Sequence, residues 1–184
     1  MTRAGLREAT VGGVPPRSSR RLDPDHLGDH VDRLFRAAWA LCGDPHDAED
    51  LVQETYARVL ARPRFLRNDD DLGYLLRVLR NTHISRLRQS GRRIAEVPFE
   101  DDAPVAAADL RLPEFAFEVG ELFSAIAALP PDAGEAIVAV DVAGLSYREA
   151  ATALRVKEGT LTTRLHRARR RVARTLTAEP ASRL

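Results

Sequence analysis

Three stretches in the first half of the chain repeat apolar side chains every three or four residues, the period of an amphipathic helix. From about His26 to Leu41 the stripe is Val31, Leu34, Phe35, Ala38, Trp39 and Cys42, and Gly43 stands where a helix-ending glycine is expected. Asp44-Pro45 then opens a second helix, with the aspartate as cap and the proline at the first helical position. Its stripe, running to Ala61, is Ala48, Leu51, Val52, Thr55, Tyr56 and Val59, with Asp47, Asp50, Gln53, Glu54 and Arg58 outward. A polar connection from Pro63 ends in Asp69-Asp70-Asp71, acids suited to capping the next helix. That third helix, Leu72 to about Arg88, is expected to bury Leu72, Leu75, Leu76, Leu79, His83 and Leu87. It turns Arg77, Arg80, Asn81, Ile84 and Arg88 outward, with Tyr74 at its flank.

The stretch from Leu145 to Arg174 has a different layout: two short helices around a tight break. Ser146 and Glu149 have the spacing of a capping box, and Ala150, Ala151 and Leu154 form a small-residue face that lets another helix pack close. Arg155-Val156 interrupts the pattern before Lys157-Glu158-Gly159-Thr160 opens the next segment. There Leu161, Leu165, Ala168 and Val172 share one stripe, while Gly159, Thr163, His166, Arg167 and Arg170 fall opposite. This is the form of a helix-turn-helix whose second helix presents donors and cations to DNA. On such a face arginine reads guanine bidentately, and the flanking Arg164, Arg169, Arg171 and Arg174 are expected to neutralise phosphates. A solvated basic helix, or one that binds acidic protein or RNA, is the alternative.

Charge sharpens the picture because it is unevenly placed. The 184 residues carry a formal net charge of only +1. Yet Arg77 to Arg93 holds six arginines and no acid, and Arg155 to Arg174 holds eight Lys or Arg against Glu158 alone. Between them, Glu96 to Glu121 holds eight acids against Arg111 alone. A chain of this length suits two small helical domains better than one. The expected fold is therefore all-α: a disordered tail over 1–25, a helical domain over 26–93, an acidic flexible linker over 94–116, a helix-turn-helix domain over 117–178 and a short tail over 179–184. The single cysteine, Cys42, excludes an internal disulfide and is expected to act as a small buried hydrophobe. No run is long and apolar enough for a membrane span, and the first residues lack the apolar core of a signal peptide, which points to a cytoplasmic protein. Neither metal nor cofactor is expected, since His46 and its neighbouring carboxylates match no ligand spacing. The scattered histidines and hydroxyls form no nucleophile, base and oxyanion arrangement, so an enzyme is not expected.

The segment Asp47-Ala48-Glu49-Asp50-Leu51-Val52-Gln53-Glu54-Thr55-Tyr56 resembles the signature helix of bacterial RNA polymerase sigma factors of the extracytoplasmic-function group of the sigma-seventy family. The resemblance continues through Tyr74 to Asn81, Leu129-Pro130-Pro131, Gly144 to Glu149 and Gly159 to Arg169. It implies a sigma-two and a sigma-four domain, with core RNA polymerase (its largest and second-largest subunits) and promoter DNA as partners and an anti-sigma factor as a further one. It also implies roles: Asp47, Asp50, Gln53 and Glu54 dock on the polymerase. Arg64, Phe65, Tyr74, Arg77, Arg80 and Asn81 open the minus-ten element and hold a flipped base. Thr162, Thr163, His166 and Arg167 read the minus-thirty-five element, with Lys157, Gly159 and Thr160 near phosphates.

The chain departs from the family's usual pattern at Tyr74, commonly tryptophan, at Lys157, often proline, and at Thr162, often basic. Arg155 stands at a turn position commonly held by glycine, which would put a side chain near positive φ. Two other classes compete on the residues alone. An ordinary regulator would bind a two-fold DNA site unaided. A helical protein-interaction module would show no salt-dependent DNA binding.

Overall fold

The structure, a computed structural model, describes residues 20–21, 24–61, 65–66, 71–94 and 116–178. Most of the expected N-terminal tail, nearly all of the acidic linker, the last residues and Arg64 lie outside the described residues.

The N-terminal module is three helices: α1 (Val31–Cys42), α2 (Pro45–Ala61) and α3 (Asp71–Ile94). Each starts or stops where its sequence provides the chemistry. Gly43 ends α1 in the left-handed region at φ 79°, its N–H donating to Trp39 O at 2.7 Å. Asp44 Oδ1 then accepts from the amides of His46 and Asp47, capping α2. Leu34, Leu51, Leu75 and Leu79 are fully buried where the three helices meet, and the Tyr56 hydroxyl donates to Leu27 O at 2.9 Å.

Three expectations need correction. The first helix does not run unbroken from His26: a 3-10 helix over Pro24–His30 precedes α1, and Val31 at the junction is exposed. Leu87 is 57% exposed, because the last turns of α3 bring it no buried apolar neighbour among the described residues. Arg20–Arg21 is not disordered tail: it forms strand β1, antiparallel to strand β2 (Phe65–Leu66), with Arg20 opposite Leu66. Two-residue ladders leave no periodic signal in a sequence.

The C-terminal module has four helices: α4 (Ala116–Ala127), α5 (Pro131–Ile137), α6 (Tyr147–Leu154) and α7 (Glu158–Ala178). Helix α5 widens into a π-helical turn, Val138–Val142, where Ala143 N donates five residues back to Val138 O at 2.9 Å. Ser146 Oγ accepts from Glu149 N at 3.3 Å while Glu149 Oε2 accepts from Ser146 N at 2.8 Å, the reciprocal box read from the sequence. The break between α6 and α7 turns on Arg155 at φ 57° and ψ 43°, among the described residues the only non-glycine with positive φ. Val156 N reaches Ala151 O and Arg155 N reaches Thr152 O, so the helix end is closed although a side chain occupies a glycine position.

The two modules are not held apart. Helix α1 packs on α4 and on the π turn, and α3 packs on α6, so that the buried apolar side chains form one continuous core. Trp39 meets Phe123 edge-on at 5.1 Å across this junction.

Candidate nucleic-acid interface

Helix α7 separates its faces cleanly. Leu161, Leu165, Ala168 and Val172 are buried against the module, and Gly159, Thr160, Thr162, Thr163, His166, Arg167 and Arg170 are exposed, as is Lys157 just before the helix. The Thr162 and Thr163 hydroxyls donate back to Glu158 O and Gly159 O, which leaves their methyls and remaining lone pairs outward. Gly159 has open space around the position of a Cβ, so nothing inside the fold demands glycine there. Beside this face lies an open cleft of about 470 Å³ lined by Pro130, Asp132, Ala133, Thr160, Thr163, Arg164, Arg167 and Arg171.

The flanking arginines are not all alike. Arg164 Nη2 pairs with Asp132 at 2.7 Å, and Arg169 forms a two-pronged pair with Asp141 at 2.9 and 2.6 Å. The Asp141 hydrogen bonds hold the Arg169 guanidinium well above its ordinary value. These two arginines tie α7 to α5 and the π turn, so the expectation that all four flanking arginines serve phosphates fails for them. No periodicity marks Asp132 and Asp141 as their partners. Arg171 and Arg174 remain exposed.

On α2, Asp47, Asp50 and Gln53 are exposed along one face. Glu54 is half-buried and its carboxylate is engaged twice, by Arg58 at 2.6 Å and by Arg86 at 2.7 Å. Partial burial pushes the Glu54 carboxyl up, but the hydrogen bonds from Arg86 and Arg58 outweigh it and its pKa falls below the ordinary value. Arg86 also donates to Asp50 O at 2.8 Å and reaches Asp47 O at 3.5 Å. It thereby pins α2 to α3 behind the acidic face. The sequence reading missed Arg86, which carries no motif and is found only once α2 and α3 are side by side.

On α3, Tyr74, Arg77 and Arg80 are half-buried and Asn81 is exposed. The arginines face the C-terminal module. Arg77 donates to Ala153 O and Thr152 O, both at 3.3 Å, and Arg80 Nε lies 2.7 Å from Glu135 Oε2. Phe65 lies in β2. Cys42 Sγ and His83 Nδ1 are 3.8 Å apart. Burial, helped by Asp47, pushes the thiol up to about 11, and burial with Arg86 pushes the imidazole pKa down, so both are neutral at pH 7. Among the described residues no group of three or more His, Cys, Asp or Glu is placed to hold a metal, and no helix is long and apolar enough to cross a membrane.

Three helices joined to a helix-turn-helix module with an exposed cationic second helix define a class of DNA-directed helical proteins, and the comparisons narrow it. The chain matches sigma-70 region 2 over residues 27–93 and sigma-70 region 4 over residues 120–172. It is 37% identical to the ECF RNA polymerase sigma factor SigE of Mycolicibacterium smegmatis over 78% of this chain and 57% of SigE. It is 33% identical to the ECF sigma factor SigM of Mycobacterium tuberculosis over 90% of this chain and 88% of SigM. Its fold superposes on the sigma factor RpoE from Bartonella quintana, solved with the anti-sigma factor NepR, with a TM-score of 0.66 and 26% identity, over 84% of this chain and 96% of that one. The chain belongs to the extracytoplasmic-function group of the sigma-70 family. Membership implies that it binds RNA polymerase and directs promoter-specific initiation of transcription.

Proposed function

We propose that this cytoplasmic, non-catalytic protein divides promoter recognition between its two modules, and that polymerase holds them at the working separation. The exposed face of α7 enters the major groove of the minus-thirty-five element, where Thr162, Thr163, His166 and Arg167 meet base edges. Lys157, Gly159 and Thr160 lie against phosphates at the start of the helix. The N-terminal module takes the minus-ten element: Arg64, Phe65, Tyr74, Arg77, Arg80 and Asn81 track the opened strand and hold a flipped base. Asp47, Asp50 and Gln53 carry the docking face for the polymerase, with Glu54, locked by Arg58 and Arg86, setting its geometry. Because polymerase fixes both modules, two weak contacts multiply through effective concentration.

The observation that carries this reading is the split of α7 into a fully apolar buried stripe and an exposed outer face of polar and cationic groups, in a chain that matches both sigma regions in order. The B. quintana neighbour was solved with an anti-sigma factor, and we infer a partner of the same kind for this chain. Run-off transcription on genomic promoter fragments tests the core of the proposal. Core polymerase with this chain should yield discrete transcripts, and Arg167→Ala should abolish or redirect them. Transcripts identical with and without the chain would refute it.

A further inference from the structure

We propose that the face of α3 bearing Arg77 and Arg80 is a shared docking surface, occupied either by the C-terminal module of the same chain or by an unpaired DNA strand, but never by both. The Arg80–Glu135 contact is the latch of the closed form. The strand half of this inference rests on the proposed minus-ten role of Arg77 and Arg80; the latch half rests on geometry alone.

Arg33, Arg77 and Arg80 of the N-terminal module all reach across the junction, and the first two meet groups that solvent can serve equally well. Arg33 donates through Nε and Nη2 to Ala143 O, at 2.9 and 2.5 Å, and through Nη2 to Gly144 O at 3.2 Å, at the end of the π turn. Arg77 donates to Thr152 O and Ala153 O, at the end of α6. Two helix C-termini of one module are thus capped by cations of the other, which suits the negative end of each helix. Water replaces such caps when the modules part.

Arg80 differs. Its partner Glu135 is only 8% exposed, so closure holds a carboxylate away from water with one guanidinium for company. The Nε atom lies 2.7 Å from Glu135 Oε2, yet its N–H is not aligned on any acceptor. A void of about 20 Å³, room for one water molecule, sits beside the pair against Leu76, Leu79 and Val138. A buried ion pair with poor hydrogen-bond geometry recovers little of its desolvation cost, so it specifies the closed arrangement without locking it.

The same guanidinium groups cannot serve a DNA strand while they point into the C-terminal module. Closure is also incompatible with reading both promoter elements. Elements named for positions minus thirty-five and minus ten lie about 25 base pairs apart, roughly 85 Å at about 3.4 Å per base pair, whereas here the modules touch.

The test uses the full chain carrying two dyes, on Glu49→Cys in α2 and Ala173→Cys in α7, both exposed positions outside the proposed contact sets. Cys42, half-buried with its thiol pushed up to about 11, stays unlabelled at neutral pH. Energy transfer reports closure, and a fluorescent mixed-sequence 20-nucleotide single strand, read by anisotropy, reports strand binding. Glu135→Gln and Arg33→Ala, singly and together, loosen closure without touching a proposed DNA contact. The expected result is a drop in transfer with a gain of about three- to tenfold in strand affinity, the population of open form being what limits the apparent constant. Saturating strand should lower transfer in the parent chain as well, by linkage.

A fall in transfer with no gain in affinity, or strand bound with transfer still high, overturns the shared surface. Unchanged transfer in the double variant, its helicity intact by circular dichroism, overturns the latch; Glu135→Asp supplies the same reading if Glu135→Gln does not fold. A strand that binds no variant removes both the sharing and the minus-ten role, while the transfer data still decide the latch on their own.

Discussion

Helices α3 and α7 are the two long arginine-rich helices of this chain, and as sequences they are alike: an apolar stripe with leucines on one side, arginines with an amide or hydroxyl on the other. In the folded chain they part company. The outer face of α7 stays open, whereas Arg77 and Arg80 of α3 are turned into the second module. Periodicity says which side of a helix avoids the core of its own module. It does not say whether a second module covers the polar side, because Glu135 and the carbonyls of Thr152 and Ala153 lie over fifty residues away in sequence.

The difference gives graded expectations. The largest concerns the stripes. Leu165→Ala on α7 removes a side chain with no room to collapse and should destabilise the protein by about 2–5 kcal/mol in chemical denaturation, with Leu79→Ala on α3 in the same range. Leu87→Ala, placed on the same expected stripe as Leu79, should stay within about 0.5 kcal/mol of the parent, since its side chain is exposed.

Next is the reading face. Arg167→Ala should cost about 1–3 kcal/mol of promoter discrimination at one minus-thirty-five position, measured with core polymerase on a set of single-base promoter variants. Uniform weakening across the set would reassign Arg167 to a phosphate. At the turn, Arg155→Gly relieves a side chain from the left-handed region and should stabilise the fold by about 1 kcal/mol, visible as a raised denaturation midpoint.

A smaller effect separates the flanking arginines. Arg171→Ala should reduce the slope of log affinity against log salt by about one. Arg169→Ala should leave that slope nearly unchanged and cost at most about 1 kcal/mol of stability, since its pair with Asp141 is partly exposed.

The smallest is a pH effect. Glu54 and Glu149 have folded pKa values below their ordinary 4.5, held there by Arg86 with Arg58 and by Ser146. Their contribution to stability is full above about pH 4.5 and is lost as pH falls through the lower folded values. Glu149→Gln should flatten the acid limb of a stability profile.

Much of this molecule is legible in its sequence. The Asp44 and Ser146 caps, the Gly43 stop, the stripe of α7 and the left-handed turn at Arg155 are local, each settled within a few residues by hydrogen bonds or sterics. Beyond reach were the contacts that depend on which helix lies beside which: Arg86 on Glu54, Arg169 on Asp141, Arg80 on Glu135. The β1–β2 ribbon escaped for a different reason, being too short to show a period. The sequence therefore marks the exposed side of α7 well. It also offers Glu54 to the polymerase, although two arginines already hold its carboxylate.

A footprint of promoter duplex at physiological salt, with and without core polymerase, bears most directly on division of the work between two modules. The free chain should leave the duplex unprotected, and the chain with polymerase should protect two separated patches. Equal protection by the chain alone would show that one module grips DNA unaided and would contradict the two-module mechanism.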